Sequence, residues 1–284
     1  MLYIHFEKPS EAMKMLQYVS AHPFGRELNE YIVFEDEKGL FVNMKANYTG
    51  KLVNLLSDVF YRFLLEHKLL SLMENILRQK FFYREQEEID TIVEIAYSLI
   101  ETKMIETRDA IFSKERQILH EGLCSFLLGH ISFSFDSFAT FRLKSFHESL
   151  LVFVENAIDE YKLEQDYQNF IATLRDFLNN TESKMDVIHL LHHNGFHFYD
   201  SQFREMGKQV IHKLIDRKLL SENPVYIDST TIAPLISIAP QTLQIYTDER
   251  EDGLIQTVIR IFEERTVVRS VKGFYSAVQT PIGE

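Results

Sequence analysis

The sequence of 284 residues contains one cysteine, no tryptophan and no window of about 18 consecutive apolar residues. The lone thiol, Cys124, cannot form a disulfide within the chain, which excludes a disulfide scaffold and favours a reducing compartment. The missing apolar window excludes a membrane-spanning helix. Residues 1–9 include Glu7 and do not have the pattern of a secretory signal. We therefore expect a soluble, cytoplasmic protein.

Positive charge is also scarce. The chain has 30 Lys and Arg residues against 42 Asp and Glu residues, for a net charge of −12, and no segment has an excess of cations. Because binding to phosphates requires clustered Lys and Arg, this composition disfavours nucleic acid and anionic lipid as partners. Apolar residues make up 45% of the chain and charged residues 25%, which is typical of a globular protein and excludes a disordered one.

Proline is absent between Pro23 and Pro224, which permits long, unbroken helices. Apolar residues recur at spacings of three and four over much of this stretch, and this pattern predicts a helical domain over residues 50–183. Its last helix is predicted from near Phe138 to Leu178, with Asp136 or Ser137 as N-cap. We expect its apolar face to bury three phenylalanines against Leu55, Phe63 or Ile92, namely Phe141, Phe146 and Phe153.

Two smaller modules flank the helical domain. Residues 1–49 predict a strand, a helix with Ser10 as N-cap, and a hairpin in which Gly39 supplies a positive φ. Residues 184–284 predict a hairpin around Asn194-Gly195 and then strand, helix and strand, the order of a parallel βαβ unit. The fold class is therefore α+β, with domains 1–49, 50–183 and 184–284. The pattern leaves open whether the two flanking modules share one sheet.

Four histidines surround the predicted hairpin turn: His189, His192, His193 and His197. A two-residue turn would place His192 opposite His197, close enough for both imidazoles to bind one metal ion. Asp186 and Asp200 could supply further ligands. The alternative is a solvated hairpin face. We favour the solvated face because a closed zinc site needs four ligands and the HExxH signature is absent.

Other catalytic signatures are incomplete. The sequence lacks the phosphate-binding pattern GxxxxGK[ST], the dinucleotide pattern GxGxxG and the nucleophile pattern GxSxG. The acidic turn after Tyr246, residues 247–252, would repel phosphate. Asp248 and Asp252 in this turn could bind Mg²⁺. The alternative, which we favour, is that these acidic residues at a helix start complement the helix dipole. Cys124 lies in an apolar stripe, where an inert thiol is expected.

Two basic groups are candidates for ligand binding. The first precedes Phe274 and consists of Arg260, Arg265, Arg269 and Lys272. It gives a nucleic-acid hypothesis, which the overall acidity disfavours, and we expect these side chains to pair with acidic neighbours instead. The second, Arg142 and Lys144, follows phenylalanines at a spacing of three, which predicts core packing with the cations emerging from it.

Some segments resemble a known family. Phe138-Ala-Thr-Phe141-Arg-Leu-Lys-Ser-Phe146, the following helix with Ala157-Ile-Asp-Glu-Tyr161, and Pro234-Leu-Ile-Ser-Ile-Ala-Pro240 are similar to the YtxC-like family. The order and length of segments extend the resemblance over the whole chain. It implies a cytosolic protein linked to spore formation in endospore-forming bacteria. The family brings no catalytic residue or cofactor that could be carried over.

The sequence thus assigns no catalytic, cofactor-binding or metal-binding residue, no cofactor and no oligomeric state. Our leading hypothesis is a non-enzymatic protein that acts in sporulation by binding an unidentified protein partner. The alternative is a metal-dependent hydrolase that uses the histidines at 189–197.

Overall fold

The computed structural model describes residues 2–36, 39–43, 48–107, 112–216, 228 and 230–279. The chain divides into two compact units, Met1–Lys162 and Leu163–Glu284. The domain boundaries predicted after residues 49 and 183 separate segments that are expected to fold independently. These boundaries stay a prediction. In the described part of the chain, no helix combines the length and apolar character needed to cross a membrane.

The first unit consists of a small sheet and a set of helices. Its strands are β1 (Leu2–His5), β2 (Ile32–Asp36), β3 (Gly39–Val42) and β4 (Phe133–Ser134). Its helices are α1 (Pro9–Ala21), α2 (Gly25–Leu28), a 3₁₀ turn (Asn29–Tyr31), α3 (Thr49–Phe63), a π-helical turn (Leu64–Lys68), α4 (Leu69–Lys80), α5 (Gln86–Thr107), α6 (Ser113–Leu128), α7 (Phe135–Arg142) and the first part of α8 (Lys144–Asn180).

The sheet of the first unit has the strand order β2-β3-β1-β4. The predicted strand, helix and hairpin are confirmed as β1, α1 and the antiparallel pair β2 and β3. Two details were wrong. Helix α1 begins with Pro9, whose fixed φ suits the first helical position, so Ser10 is not the N-cap. Gly39 is not at positive φ; it lies in β3, where a Cβ would come within 2.0 Å of the Tyr3 hydroxyl.

The core of the first unit is rich in phenylalanine. The apolar face of α3 supplies Phe60 and Phe63, both fully buried. Their rings lie within 4.9–5.4 Å of the ring of Phe135, which also stacks on Phe6 at 5.5 Å. Helix α3, helix α7 and Phe6, which directly follows strand β1, are therefore joined in one aromatic cluster.

The predicted helix from Phe138 to Leu178 is interrupted at Leu143, where φ is −101° and ψ is 35°. The side chain of Leu143 is buried and its N–H still bonds to the carbonyl of Ala139 at 3.1 Å, so the break is satisfied locally. Ser134, and not Asp136 or Ser137, caps α7 by accepting the N–H of Ser137 at 3.4 Å.

The outcome for the three phenylalanines is mixed. Phe146 is fully buried, as predicted, and its ring lies 4.9 Å from that of Phe112. Phe153 is half-buried at the edge of the core. Phe141 is 81% exposed, so its predicted burial was wrong, because α7 ends one residue later and the helix does not keep one phase through Leu143.

The second unit is a small α/β unit. Its strands are β5 (Val187–His192), β6 (Phe196–Tyr199), β7 (Thr242–Tyr246) and β8 (Thr266–Arg269). Its helices are the end of α8, α9 (Lys208–Leu214), α10 (Ile232–Ile238), α11 (Gly253–Phe262), a 3₁₀ turn (Glu263–Arg265) and α12 (Val271–Gln279).

The strand order of the second sheet is β6-β5-β7-β8. Strands β5, β7 and β8 are parallel, so the predicted βαβ unit is confirmed as β7-α11-β8. Since β1 pairs with β3 and β4, and β7 pairs with β5 and β8, the described strands form two separate sheets. Together with the helical middle, they confirm the α+β class.

Polar side chains fix two helix starts in the second unit. Asp252 caps α11 by accepting the N–H groups of Leu254 and Ile255 at 3.0 Å. Asp228 accepts the N–H of Thr231, the N-cap residue of α10, at 2.8 Å.

Candidate functional site

The histidine hairpin forms, but its register differs from the prediction by one residue. His192 pairs with Phe196, and His197 pairs with Leu191. The connection has three residues instead of two, with Asn194 at φ 53° and Gly195 at φ 117°. The predicted opposition of His192 and His197 was therefore wrong.

Three of the histidines are held by different partners. His189 and His192 project from opposite faces of β5, because they are three residues apart on one strand. Nδ1 of His192 lies 3.1 Å from Oγ1 of Thr247, and Nδ1 of His197 lies 3.2 Å from Oε1 of Glu205. The imidazoles are thus held in separate hydrogen bonds and do not converge on one point.

Asp200, proposed as an extra metal ligand, stabilises a turn. Its Oδ1 accepts the backbone N–H groups of Gln202 at 2.9 Å and Arg204 at 3.0 Å, and its Oδ2 accepts the Arg204 Nε–H at 2.8 Å. Burial alone would raise the pKa of Asp200, but these donors lower it. Within the described ranges, no group of three His, Cys, Asp or Glu side chains is placed to hold a metal ion. The geometry gives no support to the metal-dependent hydrolase.

His189 is the most constrained of the four histidines. Its side chain is 7% exposed, its ring stacks on Phe203 at 4.0 Å, and its Nδ1 lies 3.2 Å from the Tyr246 hydroxyl. Burial lowers the pKa of His189, nearby Arg269 lowers it further, and Asp200 partly opposes this. Neither Phe203 nor Tyr246 was singled out from the sequence, because their contact with His189 depends on sheet register and on a loop with Phe203 at φ 57°.

This environment predicts an acid-sensitive stability. Because the pKa of His189 is lower in the folded chain, the unfolded chain binds more protons below about pH 6.5. The contribution of His189 to the free energy of unfolding should be complete above that pH. As the pH drops from 6.5, the free energy of unfolding should fall by at most about 1.4 kcal/mol per pH unit for one proton.

Urea denaturation between pH 7 and pH 5 measures this slope. The variant His189→Gln should show a shallower slope than the parent, and His193→Gln, at an exposed loop position, should not. Burial also lowers the pKa of His147, so some slope should persist in both variants. Equal slopes for His189→Gln and the parent would contradict the prediction.

The four C-terminal basic residues predicted as a candidate group make different contacts and lie on different elements. The Arg260 guanidinium lies 5.4 Å from the ring of Tyr167, and Arg265 donates to Asn179 at 3.4 Å, so both contact α8. Arg269 ends β8 and Lys272 lies on α12. The prediction that nucleic acid is a disfavoured partner remains a prediction.

The acidic turn that follows β7 has structural contacts. Asp248 Oδ1 accepts the N–H of Val271 at 3.2 Å, at the start of α12, and Asp252 caps α11. Both contacts match the interpretation of these acids as complements of helix starts.

The π-helical turn carries a group of polar contacts that the sequence did not indicate. The Tyr18 hydroxyl of α1 donates to the Glu66 carboxylate and lies 2.8 Å from Nε2 of His67. Burial and the neighbouring Glu66 raise the pKa of Tyr18 to about 12. Insertion of one residue into a helix is not visible in an apolar pattern, although π-helical turns are frequent at functional sites. Here the turn joins α1 to the helix formed by α3 and α4.

Three exposed apolar side chains lie at the end of α6, in the segment that follows it and near the end of α7. They are Leu128, Ile131 and Phe141, which are 58%, 51% and 81% exposed. We call these three residues the α6–α7 surface.

Aromatic packing beneath this surface holds its backbone in place. The rings of Phe126, Phe133 and Phe138 lie 5.0–5.7 Å apart. Ile131 donates its N–H to the carbonyl of Phe126 at 2.9 Å, and Phe141 lies one helical turn after Phe138. The apolar side chains of the α6–α7 surface are therefore presented from an ordered support.

Two cations accompany the α6–α7 surface. The Arg142 guanidinium lies 5.7 Å from the ring of Phe126, and the Lys144 side chain is 83% exposed with a distant contact of 3.9 Å to Glu148. Arg142 thus lies against an aromatic ring, whereas the predicted packing of the preceding phenylalanines in the core is wrong at Phe141. The surface therefore combines apolar anchors with positive charge, in a chain with a net charge of −12.

Comparison with known proteins identifies the family. Residues 54–267 match the model of the YtxC-like family. The uncharacterized protein YtxC of Bacillus subtilis (strain 168) is 33% identical over 282 residues, which cover 98% of this chain and 97% of that protein. No solved structure matches. The segments that suggested the resemblance, Phe138–Phe146 and Pro234–Pro240, lie within the matched residues. The chain belongs to the YtxC-like family.

Proposed function

We propose that this protein acts in sporulation as a non-enzymatic, cytoplasmic binding protein that recognises a protein partner through the α6–α7 surface. The observation that carries the proposal is the exposure of Phe141, which is 81% exposed although its helix has an apolar face that buries Phe138 and Phe135. Exposed apolar side chains grouped on an ordered support are characteristic of interaction sites. The link to sporulation rests on membership of the family.

The chemistry of the surface defines the partner. Leu128, Ile131 and Phe141 call for apolar side chains on the partner, and Arg142 with Lys144 call for carboxylates beside them. We therefore infer an acidic protein segment with apolar anchors.

A pull-down from sporulating cells with variants of the full chain tests the proposal. Phe141→Ser should reduce the recovered partner at least about tenfold, since removal of a central aromatic anchor commonly costs 2 kcal/mol or more in binding. The fold should be unaffected because the side chain makes few contacts in the free protein.

Val152→Ser is the matched control, since Val152 is a 53% exposed apolar residue on α8, outside the α6–α7 surface. It should retain the partner. Equal recovery by Phe141→Ser and the parent would contradict the proposed surface. Normal spore formation after a clean deletion would contradict the role in sporulation.

A further inference from the structure

Described residues of the second unit line a cavity of about 1050 Å³. It lies beside the tip of the histidine hairpin and α9. The residues at its wall come from Asn194–Gly195, β6, the segment 205–207, α9, Ile215 and Thr230–Thr231. This volume is in the range of pockets that bind small molecules.

The wall of this cavity exposes more apolar than polar surface. Its apolar residues are Phe196, Phe198, Met206, Ile211 and Ile215. The polar side chains of the wall include Asn194, His197 and His212, and Thr230 and Thr231 supply hydroxyls that contact Asp228. Because the five apolar side chains offer no hydrogen-bonding partner, the part of a ligand that packs against them is a hydrocarbon.

The charged groups of the cavity favour an anion. Lys208 and Lys213 of α9 are exposed and make no hydrogen bond or ion pair with any residue in the described ranges. Among the described lining residues the one carboxylate is that of Glu205, which His197 engages at 3.2 Å. The cavity thus combines an apolar part of its wall with two cations that have no anionic partner among the described residues.

We propose that this cavity binds an aliphatic anion, with the hydrocarbon chain against the phenyl, methionine and isoleucine side chains and the anionic group beside Lys208 and Lys213. The same chemistry is shared by a free fatty acid, an alkyl phosphate and an anionic lipid headgroup with its chains. The site is independent of the α6–α7 surface, since all its residues belong to the second unit.

A glycine in the wall permits a direct test. Gly207 has φ −64°, and a Cβ built on it meets nothing within 4 Å, so a larger side chain there would extend into open space without backbone strain. Gly207→Phe should weaken the binding of dodecanoate at least about tenfold in calorimetry with the full chain. Gly253→Phe is the matched control: Gly253 likewise has nothing within 4 Å of its Cβ but lies outside the cavity wall, and this variant should bind as the parent does.

The charge of the ligand is tested separately. Dodecanoate should bind the parent at least about tenfold more tightly than dodecanol, and the double variant Lys208→Gln/Lys213→Gln should remove this difference. Dodecyl phosphate should bind with an affinity similar to that of dodecanoate, because the proposed site recognises a negative charge and a hydrocarbon chain.

Three results would overturn the proposal. These are no binding of dodecanoate by the parent, equal binding of dodecanol, and unchanged dodecanoate binding by Gly207→Phe. Retention of the parent on phosphatidylglycerol vesicles without binding of monomeric dodecanoate would show a membrane-surface interaction in place of a cavity for single chains, and so would also overturn it. Because none of these measurements involves the α6–α7 surface, they do not depend on the proposed protein partner.

Discussion

The replacement of Phe135 by alanine is expected to lower the free energy of unfolding by about 3–5 kcal/mol. Phe135 is fully buried, and its ring packs on those of Phe6, Phe60 and Phe63 at 4.9–5.5 Å. The variant would lose the transfer free energy of the phenyl ring and leave a cavity bounded by three rigid rings, which have little freedom to close it. Since domains are typically stable by only about 5–15 kcal/mol, a large fall in melting temperature should follow.

The same helix provides the control. Phe141 lies six residues later in α7 and is 81% exposed, so Phe141→Ala should stay within about 0.5 kcal/mol of the parent. Phe153, which is half-buried, should give an intermediate loss. Urea denaturation of the three variants measures the order. A similar loss for Phe135→Ala and Phe141→Ala would show that the burial assigned to α7 is wrong.

Much of the fold could be predicted because burial leaves a period in the sequence. The residues at three- and four-residue spacing in α3 and α5, such as Leu52, Leu55 and Ile92, are fully buried. The alternation of β1 and the Asn194-Gly195 turn likewise gave the correct strands. These elements depend on local sequence and on one buried face, and both are visible in a single chain.

The position of Phe141 could not be predicted because the break at Leu143 has no local signal. No glycine or proline stands there, and Leu143 keeps its hydrogen bond to Ala139 while burying its side chain. Tertiary packing therefore selects the break, and a break of one residue rotates the preceding helix relative to α8. The candidate binding surface became visible through the structure alone.

The histidine hairpin shows a second limit. The Asn194-Gly195 pair correctly marked a turn, but the loop has three residues, and a shift of one residue changes which side chains face each other. Contacts such as His189 with Phe203, or Tyr18 with Glu66, join segments far apart in the chain, which no spacing rule connects.

The charge network at the end of the π-helical turn leads to the second large prediction. Lys68 Nζ lies 2.7 Å from Glu11 Oε1 of α1 and 2.7 Å from Asp136 Oδ1 of α7, and the three side chains are only 14–22% exposed. Burial would lower the pKa of Lys68, but Asp136 and Glu11 raise it above its ordinary value. Lys68 thus stays charged and neutralises two carboxylates in a poorly solvated place.

Lys68→Met should therefore destabilise the protein by about 3 kcal/mol, near the lower end of the cost of removing one partner of a buried ion pair. Methionine keeps much of the length and apolar stem of lysine, so the loss reports mainly on charge. Glu11 would be affected most, because its Oε2 is already buried without a hydrogen bond among the described residues. The remaining carboxylates would face each other without the cation that holds α1 and α7 together.

Two further variants separate charge from packing. Adding Glu11→Gln and Asp136→Asn to Lys68→Met should restore at least half of the lost stability, because it removes the repulsion and the unpaired charges. Lys103→Met breaks the ion pair of Lys103 with Glu106, whose side chains are 53% and 59% exposed. Its free energy of unfolding should stay within about 0.5 kcal/mol of the parent's because solvent screens that pair. Urea denaturation at neutral pH measures all three variants. A loss for Lys68→Met no larger than that for Lys103→Met, or no recovery in the triple variant, would show that the network does not hold α1, α7 and the π-helical turn together.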